Sequence, residues 1–141
     1  MRVLPLLAAV LLAAGCAGED DDSSSTTTAV AAGTGCTPAT TELMTPLQNR
    51  LTLGGARLVN GQIARSSERD GVYFVAAEID APELQTSGDV AVWATTSRHG
   101  GEPIYAVNEL AKRYSDWRAA AALDVTSDDG GAENARRCVF R

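Results

Sequence analysis

Residues 72–77 read Val-Tyr-Phe-Val-Ala-Ala and decide the fold, because this stretch is almost continuously apolar. A strand with one face in water alternates apolar and polar residues, whereas a strand covered on both faces is an unbroken apolar run. Runs rich in valine, tyrosine and phenylalanine are typical of strands. The stretch therefore predicts a central β-strand with other parts of the domain packed against both of its faces.

Strand character extends to both sides of this stretch. Three segments carry it: Ala56 to Arg65, Gly71 to Ile79, and Asp89 to Thr96. The connections 66–70 and 82–88 are short and polar, which favours pairing of each strand with the next one along the chain. We expect an antiparallel meander of three strands or more.

Helical spacing marks the chain before the predicted sheet. Apolar residues recur there on one helical face: Leu43, Met44, Leu47 and Leu51. They predict an N-terminal helix that Gly54-Gly55 ends. Its start stays open between Thr37-Pro38 and Thr45-Pro46, since either pair supplies a capping residue and a first-turn proline. A helix begun at the earlier pair would be broken by Pro46.

A second helix is predicted after the sheet, from Asn108 to about Leu123. Its apolar face recurs at spacings of three and four residues: Val107, Leu110, Ala111, Tyr114 and Trp117. A turn at 126–131 then precedes a short helix from Glu133 to Cys138. The fold class is therefore α+β, with an N-terminal helix, the meander, a C-terminal helix packed on one face, and the two ends joined by a disulfide.

The chain opens with the features of an export signal. Arg2 precedes an apolar run, and residues 12–16 read Leu-Ala-Ala-Gly-Cys ahead of an acidic stretch. The run is shorter than the about 20 apolar residues of a membrane-spanning helix, which leaves a retained transmembrane helix as a weak alternative.

The end of this leader resembles the lipobox of bacterial lipoproteins, in which an acylated cysteine becomes the N-terminus after cleavage. The resemblance implies a lipoprotein signal peptide over residues 1–15 and lipidation of Cys16. The usual leucine lies one place early, at Leu12. Ordinary secretory cleavage between Ala13 and Gly18 is the alternative, and it would release a secreted protein. Both cleavages place the domain outside the cytoplasm.

Three cysteines in an exported chain leave an even pair once Cys16 carries lipid. We therefore expect a disulfide between Cys36 and Cys138, which would close a loop of about 100 residues and contribute about 4–5 kcal/mol in the chain-entropy model. A free thiol or a metal site is the alternative. Two isolated cysteines without companion histidines make a poor zinc site, so no metal is expected.

Residues 16–35 contain four consecutive acidic residues and then a Ser/Thr-rich run, and nothing in them can bury a core. We expect a disordered tether, with residues 36–141 forming a single domain. The full chain has 12 basic and 18 acidic residues and a net charge of −6. This charge argues against nucleic acid, or an anionic membrane surface, as an electrostatic partner.

Catalytic patterns are sparse. His99 is the one histidine, so a Ser-His-Asp set would have to use it, and its loop setting favours a surface residue without a role. The segment from Asp124 to Asp128 begins like a calcium loop, but Asp129 and Ala135 stand where glycine and glutamate are required.

Carboxylate pairs and aromatic residues offer two further possibilities. Glu78 with Asp80, or Asp80 with Glu83, could serve acid/base chemistry, although such residues at strand ends are usually solvated. A set of aromatic residues could line a glycan or peptide groove, but their periodicities favour the core: Trp93, Trp117, Tyr73, Tyr105 and Tyr114. We predict no catalytic residue and no cofactor.

The segments 72–78, 89–95 and 104–108, followed by Ser115-Asp116-Trp117, together resemble small, functionally uncharacterised lipoproteins and secreted proteins of actinobacteria. The likeness covers most of Tyr73 to Cys138. Its motifs are hydrophobic and structural, so it implies an extracytoplasmic protein and transfers no catalytic or binding residue.

These observations predict a lipoprotein anchored on the extracytoplasmic face of the cell membrane. Its expected role is a non-enzymatic binding or interaction module of the cell envelope, with an envelope protein or glycan as partner. Two alternatives remain: a small envelope hydrolase that uses carboxylates, and a lipid-anchored carrier of a small ligand, which would need an apolar pocket.

Overall fold

The computed structural model describes residues 35–84, 89–101 and 103–141. The predicted signal peptide, Cys16 and nearly all of the predicted tether lie outside these residues. The strands are β1 (Cys36–Pro38), β2 (Arg57–Arg65), β3 (Tyr73–Asp80), β4 (Val90–Thr95) and β5 (Ile104–Ala106). The helices are α1 (Thr41–Asn49), α2 (Glu109–Tyr114) and α3 (Gly130–Val139), with a short 3₁₀ helix at Ala120–Leu123.

The five strands form one antiparallel sheet in the order β1-β2-β3-β4-β5. The α+β class and the antiparallel meander are confirmed, and the sheet is larger than its three predicted strands. The added strands are the two edges, β1 and β5. Each is three residues long, too short to show the alternation by which a strand is recognised.

Strand β3 lies at the centre of the sheet, and both of its faces are buried, as its apolar run predicts. Val75 and Ala77 belong to one hydrophobic cluster, whereas Phe74 and Ala76 belong to the other. All four side chains have no exposed surface. Because successive residues of a strand point to opposite faces, this one segment contributes to both cores.

Helices cover both faces of the sheet. Helices α1 and α2 pack on the face of Val75 through Leu43, Leu47 and Ala111, and α3 packs on the opposite face. Asn108 fixes α2 against β4, since its side-chain oxygen accepts hydrogen bonds from the N–H groups of Ala111 and Val92, both at 3.0 Å. The prediction of a helix on one face is therefore incomplete, because the sheet is the middle of three layers.

The predicted helix from Asn108 to Leu123 is wrong in its length. Helix α2 ends at Tyr114, and Ser115 is extended, with φ −143° and ψ 155°. The Ser115 hydroxyl donates to the Ala111 carbonyl at 2.6 Å and accepts from Trp93 Nε1 at 3.2 Å. An antiparallel bridge pairs Ser115 with Leu51. These tertiary bonds outweigh the weak local preference for helix.

Helix α1 begins after Thr40, so neither predicted start is used, and Pro46 lies inside the helix. A proline cannot donate the bond to the carbonyl four residues earlier, which is that of Glu42. Gly100 packs over this carbonyl, since a Cβ at Gly100 would lie 2.6 Å from the Glu42 oxygen. The β4–β5 loop thus closes against the weakened turn of α1.

A buried polar cluster fixes the start of α3. Asp129 is 1% exposed and caps the helix by accepting the Gly131 N–H at 2.8 Å. The same carboxylate accepts the Ser66 hydroxyl at 2.6 Å and the Ser67 N–H at 3.3 Å. The Ser66 oxygen in turn accepts the N–H of Arg69 at 2.9 Å. The β2–β3 turn and α3 are therefore held by one side chain.

Candidate functional site

The predicted Cys36–Cys138 disulfide is present, with the two Cα atoms 6.6 Å apart. It joins edge strand β1 to the last turn of α3, which encloses nearly the whole described chain in one covalent loop. Cys16, the predicted lipidation site, lies outside the described residues, and its acylation stays a prediction.

The sequence-derived candidates for catalysis are not brought together. His99 is exposed in the β4–β5 loop, Asp80 forms an exposed ion pair with Arg57 at 3.2 Å, and Asp124 pairs with Arg69. Within residues 35–84, 89–101 and 103–141, no group of three or more His, Cys, Asp or Glu residues could hold a metal ion.

Among the described residues, two carboxyl groups have shifted pKa values, and both shifts are downward. A hydrogen bond from its own backbone N–H is the main cause that lowers the pKa of Glu42, with smaller contributions from the Thr40 side chain and from His99. The hydrogen bond and charge of Lys112 lower the pKa of Glu109. Both residues are exposed. A lowered pKa keeps each group ionised at neutral pH, so neither supplies the protonated acid that a carboxylate hydrolase needs.

A concave site lies where the chain leaves α2. Residues 115–119 form an extended segment, which we call the strap, along the outer edge of β5. The N–H of Ala106 donates to the Arg118 carbonyl at 2.7 Å, and Ala106 forms a parallel bridge with Ala119. At its other end the strap is bonded to the chain after α1, through Asp116 N–H to the Arg50 carbonyl at 3.0 Å.

The strap creates a cleft of about 340 Å³ at the edge of the sheet, which we call the strap cleft. It is lined by one loop residue, two residues of β5, three of the strap and one after α1: Pro103, Ile104, Tyr105, Asp116, Trp117, Arg118 and Arg50. The cleft therefore combines two guanidinium groups, one carboxylate and two aromatic rings.

Trp117 is the centre of the strap cleft. Its indole is 9% exposed and packs into the core of the α1 and α2 layer. The Arg50 guanidinium lies over the ring at 4.3 Å from the ring centroid, within the range of a cation–π interaction. Among the described residues, the buried Nε1 of Trp117 has no hydrogen-bond partner, and an unpaired buried donor costs free energy.

The structure confirms the predicted core placement of the aromatic residues. Trp93 and Trp117 belong to the core of the α1 and α2 layer, and the tyrosines pack against the two cores: Tyr73, Tyr105 and Tyr114. Trp117 and Tyr105 also line the strap cleft. Arg50 was missed entirely, because nothing in the local sequence indicates that the end of α1 would meet a strap from beyond α2.

Comparison with protein-family models, with curated proteins and with solved structures finds no match for this chain. Within the part of the chain that the structure describes, no helix combines the length and the apolar character needed to cross a bilayer.

Proposed function

We propose that this protein is a lipoprotein held on the extracytoplasmic face of the cell membrane through Cys16, and that its domain is a non-enzymatic binding module of the envelope. The anchor half of this proposal rests on the leader and its lipobox-like end. The segment from Tyr73 to Cys138 resembles small actinobacterial lipoproteins, and this resemblance is part of the same proposal. The Cys36–Cys138 disulfide supports it, because such bonds persist in oxidising compartments.

The strap cleft is the observation that carries the binding half. Arginine beside an aromatic face is a frequent arrangement in recognition sites, because the guanidinium pairs with carboxylate while the ring supplies rigid contact area. Arg50 lies over the Trp117 ring in this way, and Arg118, the next residue of the strap, lines the same cleft. The cleft therefore fits a glycan or peptide segment of the envelope that carries a carboxylate.

The alternatives gain less support from the described residues. A carrier of an apolar ligand needs a hydrophobic cavity, whereas each of the four described clefts is lined by at least two charged side chains. A carboxylate hydrolase needs two acids converging in a cleft, and Asp116 is the one acid among the described residues that line the strap cleft.

Intact mass of the protein from its native membrane fraction tests the anchor. A diacylated N-terminus at Cys16, with two further cysteines that alkylate only after reduction, is the expected result. A lipid-free mass that begins after Cys16 would contradict the anchor and make the protein secreted.

Tryptophan fluorescence tests the strap cleft. Soluble wall glycan fragments that carry carboxylates are expected to change the emission of Trp117 saturably, and R50Q/R118Q is expected to abolish the change. The matched control K112Q/R113Q removes two exposed cations of α2 and should bind normally. Turnover of these fragments that is lost in His99→Ala would contradict a non-enzymatic role.

A further inference from the structure

A second surface lies at the C-terminal end of α3 and plays no part in the strap cleft. Arg136, Arg137 and Phe140 of this end line a shallow depression of about 360 Å³, together with Val90 and with Glu133 from the first turn of α3. Apart from Val90, their spacing of three and four residues places them on one helical face. We use the name α3 patch for Arg136, Arg137, Phe140 and Arg141.

The α3 patch is both apolar and basic. Phe140 is 60% exposed, and among the described residues it is the one large hydrophobic side chain classed as exposed. Arg136, Arg137 and Arg141 are exposed around it. Within the described part of the chain none of these arginines is in an ion pair. Arg137 donates to the neutral Asn134 side chain at 2.5 Å. Glu133 on the same helical face offsets part of this charge, so the patch keeps a net charge of +2 from its three arginines and this one carboxylate.

The disulfide places this patch where the N-terminal segment joins the domain. Cys138 lies between Arg137 and Phe140 in sequence, and it is bonded to Cys36, which follows residues 1–35 of the chain. A segment that carries a lipid at Cys16 thus joins the domain within one disulfide of the α3 patch.

We infer that the α3 patch docks on the anionic phospholipid headgroups of the membrane that holds the anchor. The inference rests on the proposed lipid anchor for its setting. Each arginine near an anionic bilayer strengthens partitioning about fivefold, and an aromatic side chain inserts at the boundary of headgroups and acyl chains. A tether raises the effective concentration of such a weak contact, so a few arginines are enough.

The acidic net charge of the chain is compatible with this contact, because charge is distributed unevenly. An average negative charge repels an anionic surface, but the repulsion acts on the domain as a whole and disfavours orientations that present acidic faces. The arginines of the α3 patch then favour the orientation of the domain in which this patch faces the headgroups. The membrane contact therefore selects one orientation of the strap cleft relative to the bilayer.

Vesicle co-sedimentation tests the α3 patch without the lipid anchor. The chain from Ala17 to Arg141 retains every described element, both hydrophobic clusters and the disulfide. We expect it to sediment with vesicles that contain phosphatidylglycerol and to bind vesicles of phosphatidylcholine far more weakly. Added NaCl should weaken the binding, since salt screens such contacts.

Two variants separate the patch from general charge. R136Q/R137Q is expected to weaken partitioning about 25-fold, from about fivefold per arginine. K112Q/R113Q has the same net charge but alters α2, which packs on the opposite face of the sheet, and should change partitioning less than twofold. Phe140→Ala should weaken binding at every lipid composition.

Equal binding to both kinds of vesicle, or equal losses in the two double variants, would overturn the inference. Binding to soluble polyphosphate without binding to vesicles would also overturn it, because the patch would then recognise a free polyanion. Failure of the anchor is read separately, from the intact mass of the native protein. A lipid-free mass would overturn this inference together with the anchor, whereas a lipidated protein whose vesicle binding does not depend on the patch would overturn this inference alone.

Discussion

Replacement of Asp129 by alanine should remove a buried polar cluster that stabilises this domain. The carboxylate is fully buried and bonds to the Gly131 N–H, the Ser66 hydroxyl and the Ser67 N–H. Loss of a helix N-cap costs about 1–2 kcal/mol. The Ser66 hydroxyl, in a residue that is 7% exposed, would lose its acceptor, which costs about 1–3 kcal/mol. The expected loss in free energy of unfolding is therefore about 2–5 kcal/mol.

Urea unfolding of the oxidised protein, followed by circular dichroism, measures this loss. Asp129→Asn keeps an oxygen that can accept the Gly131 N–H but loses the charge, so it should lose about half as much. Asp128→Ala is the matched control, because Asp128 is exposed and such surface changes stay within about 0.5 kcal/mol. A loss below 1 kcal/mol in Asp129→Ala, with an unchanged denaturant slope, would refute the reasoning from burial and bonding.

Three further changes are predicted. C36S/C138S should lower the free energy of unfolding by about 2–5 kcal/mol, and reduction of the wild-type protein should lower it similarly, both measured by urea unfolding. Gly131→Ala should destabilise the protein by about 1–3 kcal/mol, because its Cβ would overlap the Arg65 carbonyl oxygen. Gly130→Ala is the control and should be tolerated, because its Cβ meets the side-chain oxygen of Ser67, which can move. Because folding lowers the pKa of Glu42, its ionised carboxylate stabilises the fold fully at pH values above the ordinary pKa of 4.5. This stabilisation is lost as the pH falls through the lowered folded-state pKa, so the difference in melting temperature between wild type and E42Q should vanish below it. A pH-independent difference would contradict this last expectation.

The sequence identified those parts of the fold that depend on local pattern. The apolar run at 72–77 predicted a strand buried on both faces because period and composition report burial directly. The disulfide followed from counting cysteines in an exported chain. Both are confirmed, and both rest on signals that need no knowledge of distant contacts.

Strand β2 shows why alternation can mislead. Its pairing with β3 is irregular between Val59 and Gln62, and Asn60 there has a positive φ of 56°. In a regular strand Leu58 and Ile63, five positions apart, would point to opposite faces of the sheet. The bulge shifts the alternation, so both contact the same core. Nothing in the residue types alone fixes where such a shift occurs.

The strap cleft depends on contacts between segments far apart in sequence. Helical spacing continues through Trp117, and the chain leaves the helix at Ser115 because a bridge to Leu51 and the bond from Trp93 exist only in the folded domain. The same tertiary contacts bring Arg50 over Trp117. Periodicity therefore predicted that Trp117 would be buried, but it could not predict which residues would meet it.

The position of the strap cleft follows from the way the sheet ends. An edge strand exposes unpaired backbone groups, which folds commonly cover with other segments. Strand β5 is covered by the irregular strap, and an irregular cover leaves gaps that side chains line. Arg118 contributes its backbone to the cover and its side chain to the cleft. Because a side-chain change leaves the backbone bond to Ala106 in place, Arg118→Gln should impair ligand binding while the free energy of unfolding is nearly unchanged. Trp117→Ala should impair both, since this ring also belongs to the core.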